Sequence, residues 1–108
     1  MNGMVPGLLH AAQYCAVNHW LNAIKAAGTA DADAVVAKMK AMPVNDFYND
    51  NVTIRQDGRV MRQMYLWQVK APSEAKYKYD FCKSLAVIRP PDAWRPMSED
   101  NCPYVTAS

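Results

Sequence analysis

Between Leu8 and Ala27, Ala12, Cys15, Ala16, His19, Trp20, Ala23, Ile24 and Ala27 recur at spacings of three and four residues. That broad stripe predicts a helix buried over much of its circumference. Pro6 suits its first turn, where a missing N–H costs nothing, and Gly28 supplies its C-terminal stop. A second helix follows, capped by Asp31 or Thr29, with Asp33 placed against its positive end. Val35, Met39 and Met42 mark its inward face, Lys38 and Lys40 point outward near its negative end, and Pro43 terminates it. The cluster expected between the two helices is Trp20, Ile24, Val35 and Met39.

The period then shifts from helical to alternating. Val52-Thr53-Ile54 leads into the turn Gln56-Asp57-Gly58-Arg59, and a strand runs on through Tyr65, Trp67 and Val69. Asp-Gly between two alternating runs predicts a hairpin tip with Gly58 at positive φ, a conformation glycine adopts without steric penalty. Lys70 to Tyr79 is polar and turn-rich. Phe81 to Ile88 reads as a third extended stretch, stopped by Arg89-Pro90-Pro91 because consecutive prolines cannot extend a ladder. Asp92 is placed to cap a short turn through Trp94. Taken alone the chain reads as α+β: two helices, a β-hairpin and a third strand.

The wording of these segments carries more than their periodicity. Met42 to Lys70 (MPVNDFYNDNVTIRQDGRVMRQMYLWQVK) resembles the C-terminal end of type I periplasmic solute-binding proteins, which feed ABC importers of branched-chain amino acids and similar small solutes. His10 to Val17 is similar to that family's long helix. Ala26-Ala27-Gly28-Thr29 followed by Asp31 to Val36 resembles its helix-turn-helix junction. Lys70-Ala71-Pro72-Ser73-Glu74 resembles a strand exit, and Ala93-Trp94-Arg95-Pro96 with Asn101-Cys102-Pro103 resembles its terminal strings. The resemblance runs over nearly all of this chain, and over only the last part of a family member.

The parent fold implied is α/β, with two lobes joined by crossover strands that close around a solute. Residues 1–43 would then be a helical pair completing one lobe, and residues 44–108 the crossover, hairpin, last strand and tail completing the other. The resemblance also implies a periplasmic location and docking of the closed form onto an ABC permease. The family's main amino-acid anchors come from segments upstream of anything present here. Within this chain the resemblance points to Leu9 and His10, at the start of the long helix, as the residues turned toward the interlobe cleft. Leu9 would form an apolar wall and His10 a polar contact, beside free N–H groups at the helix's positive end.

Composition narrows the alternatives. A chain of 108 residues suffices for one domain and not for two lobes. The net charge of +2 is too small to argue for nucleic acid or an anionic membrane surface. No apolar run reaches the ~18 residues of a membrane-spanning helix. Met1 to Gly7 has neither basic leader, apolar core nor small-residue cleavage site, so no signal peptide is read there. Set against a periplasmic family, that makes the chain a fragment of a longer protein by expectation.

Candidate chemistry is sparse. Cys15 and His19 share a helical face, but a mid-helix thiol among Ala and Val gains nothing that lowers its pKa, and packing is the simpler reading. His10 and His19 lack the four-residue spacing of helical zinc ligands. Asp31 and Asp33 splay apart. Asp46, Asn49 and Asp50 lack the ordered spacing and closing Glu of a calcium loop. A Cys82–Cys102 disulfide is open, and spacing cannot establish it. Tyr65, Trp67, Tyr77, Tyr79 and Phe81 lie among Lys70, Lys76, Lys78 and Lys83, an interleaving that stacks single-stranded nucleic acid elsewhere. Here strand alternation explains Tyr65 and Trp67 as one core-facing side. No nucleophile–base–orienter set, metal cluster or cofactor motif is present, so the reading is non-enzymatic. It is a solute-binding component, or else a truncated remnant that acts as a structural, self-associating module.

Overall fold

The computed structural model describes residues 4–99, 103 and 105. Cys102, and with it the Cys82–Cys102 pairing, lies outside the described residues. Helix α1 spans Leu8–Ala27 and α2 spans Ala32–Ala41. Two strands follow, β1 at Met64–Val69 and β2 at Cys82–Ile88, with short 3-10 turns at Pro72–Glu74 and Met97–Glu99.

Both helices are bounded as their end residues dictate. Gly28 takes φ 67° and ψ 14°, the left-handed cap, and its N–H donates to the Ile24 carbonyl at 2.9 Å. Asp31 is the N-cap of α2: its Oδ1 accepts the Ala34 N–H at 3.0 Å, while Thr29 Oγ1 accepts the Asp31 N–H at 3.1 Å. The helix ends before Pro43, as the missing N–H requires.

The seam between the helices is narrower than the stripe on α1. Cys15, His19 and Ala23, four residues apart in turn, are the buried positions of α1, and Val35 is the buried position of α2. Ile24 and Met39 are half-buried, but Trp20 is 48 % exposed and leaves the expected cluster. The reason is helical phase. The 15–19–23 line carries small Cys15 and Ala23 with His19 between them and faces α2, and Trp20 stands about 100° around the helix from that line. In place of an indole, an imidazole joins the helices: His19, 5 % exposed, bonds the Met39 carbonyl through Nε2 at 2.9 Å.

After α2 the chain doubles back. Val44 and Val52 form an antiparallel bridge, with N···O distances of 2.7 and 3.1 Å. Between them Asp46 organises the loop, accepting the Tyr48 and Asn49 N–H groups at 2.8 Å each and the Asn49 side-chain amide at 2.9 Å. The Asp-Gly tip forms where expected. Ile54 bridges Val60, Arg55 N–H bonds Arg59 O at 2.8 Å, and Gly58 sits at φ 84°.

The longer ladder lies further on. β1 and β2 pair antiparallel from Met64↔Ile88 to Val69↔Cys82, with an irregularity between Leu66 and Trp67. Lys70 and Asp80 close the connecting loop with a 2.6 Å ion pair, and Asp80 also accepts the Lys76 N–H at 3.1 Å. Asp92 lies in a turn held by Ala93 N–H to Arg89 O and Trp94 N–H to Pro91 O. Among the described residues no second layer covers the ribbon, and every residue of both strands is exposed. Tyr65 and Trp67 do share a side, with ring centroids 5.7 Å apart, but it is a solvent-facing side rather than a core-facing one. The radius of gyration, 17.5 Å, exceeds the ~13 Å of a compact domain of this length. Among the described residues, buried apolar side chains gather where α1, α2 and Val44 meet.

Candidate functional site

A hollow of about 770 Å³ lies between the N-terminal half of α1 and the segment from Asp57 to Trp67, with Trp94 at its edge. Leu8, Ala12 and Ala16, on successive turns of one helical face, form its apolar side. Tyr48, Arg59, Arg62, Tyr65 and Trp67 form the opposite side.

Two guanidinium groups are fixed there by aromatic rings. Arg59 lies 4.9 Å from the centroid of Trp94, and Arg62 lies 5.1 Å from that of Tyr48. Such a cation–π contact holds each charge beside an aromatic face. The Trp94 indole N–H in turn donates to the Arg62 carbonyl at 2.6 Å, tying the C-terminal turn to the hairpin exit. Arg62 Nε is buried without a hydrogen-bond partner among the described residues, as is Asn49 Oδ1. Among the described lining residues the acid is Asp57, engaged by Arg55 through Nε at 3.0 Å and through Nη2, and also accepting the Arg59 N–H at 3.1 Å.

Leu9 and His10 stand on the first turn of α1, next to cleft-lining Leu8. Leu9 is 81 % exposed. His10 Nδ1 accepts the Gly7 N–H at 3.2 Å, capping the helix. With Nδ1 an acceptor, the neutral ring carries its proton on Nε2, which points a donor away from the helix end.

Cys15 and His19 do not form a thiol–imidazole pair. His19 Nε2 faces a carbonyl, which only accepts, so that nitrogen carries a proton and donates to Met39. Burial pushes the Cys15 thiol above its usual range, and a hydrogen bond to Asp46 raises it further. A thiol kept protonated in this way is no nucleophile. For Asp46, burial works to raise the pKa, but hydrogen bonds from the Asn49 amide, the Tyr48 N–H and the Cys15 thiol outweigh it and hold the carboxyl below the usual range. Asp46 and Asn49 therefore bond each other, and no group of three or more His, Cys, Asp or Glu is placed to hold a metal among the described residues.

Tyr48, Arg59, Arg62 and Trp94 were not singled out by sequence reasoning. A pair of arginines three apart just past an Asp-Gly tip was the available signal. The ring under each arginine comes from a distant or looped segment that spacing does not reveal.

The comparisons agree with this architecture. The family model for periplasmic binding proteins matches residues 1–76. A periplasmic binding protein from Burkholderia mallei superposes with a TM-score of 0.84 at 41 % identity, over 89 % of this chain and 25 % of its own. A branched-chain amino acid ABC transporter periplasmic ligand-binding protein from Burkholderia xenovorans gives 0.81 at 34 % identity, over 90 % of this chain and 26 % of its own. No curated protein matches. This chain thus spans about a quarter of the length of those two proteins. The matched residues include both helices, the Asp-Gly hairpin and β1, and by that match the chain belongs to the periplasmic binding protein family.

Proposed function

We propose that this chain is the C-terminal part of a periplasmic solute-binding protein that captures amino acids or similar small solutes for an ABC importer. The carrying observation is the cleft of about 770 Å³ beside α1, with one apolar side and one side where two arginines lie over aromatic rings. Concave sites with an apolar body and a few fixed polar groups are the ordinary form of small-molecule sites. On this reading, residues 1–43 complete one lobe and residues 44–108 supply the crossover and complete the other. Solute then shifts the lobes toward a closed form by binding that form better, and the permease engages it. Leu9 extends the apolar wall at the rim, and His10 offers its Nε2 donor there.

Calorimetric titration with leucine-type amino acids, amides, urea-like compounds and aromatic acids tests the reading. Saturable binding of one class by the complete protein supports it, and an absence of heat from every class there overturns it. Leu9→Ala and Leu9→Asp that leave the affinity unchanged, with the fold intact, would remove the first turn of α1 from the site.

One observation favours a second reading, a self-associating structural module. The β1–β2 ribbon leaves Trp67 55 % exposed, with Val69, Leu85 and Val87 also open to solvent. Uncovered apolar strands of this kind pair with other chains.

A further inference from the structure

Little chain joins the helices to the ribbon. Among the described residues α1 packs on α2 and β1 on β2, and no helix backbone comes against a strand backbone. The Asp-Gly hairpin goes with the helices: Val44, at its base, is buried, and Lys40 Nζ of α2 donates to the Gln56 carbonyl at its tip at 2.7 Å. The last hairpin bond runs from Met61 N–H to Thr53 O at 2.8 Å, and the ribbon ladder opens at Met64. Arg62 and Gln63 lie between, where the Arg62 N–H turns back onto the Val60 carbonyl at 2.9 Å. Across that joint the turn after β2 reaches back. Trp94 donates from its indole to the carbonyl of Arg62, in the joint itself, and lies 4.9 Å under the Arg59 guanidinium. One residue on, the Arg95 carbonyl accepts from Arg55 Nη1 at 2.9 Å, while Asp57 binds Nε and Nη2 of the same guanidinium. Each of these contacts is modest, so as a set they hold an angle without being needed for either side to fold.

We propose that the Trp94–Arg95 turn is a clasp across the Arg62–Gln63 joint, and that it sets the angle between the helical unit and the ribbon. The consequence falls on the hollow beside α1, whose walls stand on opposite sides of that joint. Leu8, Ala12 and Ala16 move with the helices, and Tyr65 and Trp67 with the ribbon. A joint of two residues absorbs a rotation easily, and a clasp over it decides how far the walls stand apart. The inference needs no solute and holds whether or not the hollow takes one.

Residual dipolar couplings of the backbone N–H groups, measured on the 108-residue chain in a dilute aligned phase, test it. In the parent, the couplings of α1 and α2 and those of β1 and β2 should fit one alignment tensor. In W94A, which removes the indole bond and the ring under Arg59, the two sets should need separate tensors, with each set still fitting its own helices or strands. That second condition separates a lost clasp from a lost fold. W94F keeps a ring for Arg59 and removes the donor, and R59Q removes the cation and leaves the indole bond, so each should give a smaller divergence in the same sense. Should W94A fail to fold, W94F and R59Q decide, Arg59 being exposed. Separate tensors already in the parent overturn the clasp. So does one common tensor in W94A, or in both W94F and R59Q where W94A does not fold.

Discussion

His19 of α1, 5 % exposed, donates from Nε2 to the main-chain carbonyl of Met39 in α2 at 2.9 Å. The two residues are separated by the Gly28 turn, so the bond fixes how the helices cross rather than how either one forms. It also satisfies a carbonyl in the last turn of α2, where orphan acceptors collect. Replacing the imidazole removes the donor and leaves a void beside Ala23, which is fully buried.

His19→Ala should therefore destabilise the chain by about 2–3 kcal/mol, the sum of an unsatisfied buried acceptor and a small cavity. Urea unfolding followed by far-ultraviolet dichroism measures it. A loss below ~0.5 kcal/mol would show that the seam does not depend on this bond.

Trp20→Ala is expected to do much less. The indole stands off the Cys15–His19–Ala23 line and is half exposed, so its loss should cost under about 1 kcal/mol in the same experiment. A cost of ~3 kcal/mol or more would place the ring in a core.

Those two side chains show where the sequence was readable. The Asp31 cap, the Gly28 and Gly58 turns and the strand at 82–88 depend on residues within a few positions of one another, and each formed where its residues predict. Which face of α1 turns inward was not local. Apolar residues cover much of that helix, and the approach of α2 selects the Cys15–His19–Ala23 line over the indole. The cleft was less legible still, because the Arg62 carbonyl meets the indole of Trp94, 32 residues later. Tyr65 and Trp67 are exposed because no layer among the described residues covers the ribbon, which alternation alone does not report.

Gly58 provides a test with a single physical cause. At φ 84° it occupies left-handed space, and a Cβ built there would meet nothing within 4 Å. Gly58→Val should cost about 1–2 kcal/mol from backbone strain alone, with Gly58→Asn costing clearly less. Equal costs for Val and Asn would point to a steric contact rather than to φ.

Acid should weaken the fold through Asp46 and Asp80. Burial acts to raise Asp46, but its hydrogen bonds prevail, and the Lys70 ammonium and Lys76 N–H lower Asp80, so both folded carboxyls lie below the ordinary 3.8. As pH falls through that value the unfolded chain takes up protons first, so stability is complete above about pH 5 and declines below it. Asp46→Asn should lower stability at neutral pH and flatten the decline between about pH 5 and 3. A variant as steeply acid-sensitive as the parent would mean that Asp46 is not one of the groups responsible.

The ribbon makes the last prediction. Tyr65 opposes Val87 on one face, and Leu66 opposes Ala86 on the other, with no layer over either. Leu66 and Val87 are half-exposed or more, so a lysine at either position costs little in the folded chain. On a face that pairs with another copy, the same lysine brings two charges together and must be desolvated. Sedimentation of the 108-residue chain should show concentration-dependent association, and Val87→Lys or Leu66→Lys should shift it toward monomer. The thermal transition of the helix pair should stay within about 0.5 kcal/mol of the parent in both variants, since neither residue touches that seam. If only one variant dissociates the chain, the contacting face is identified. If neither does, the ribbon is not the associating surface, and the uncovered α1 residues Trp20 and Leu21 become the place to put the charge.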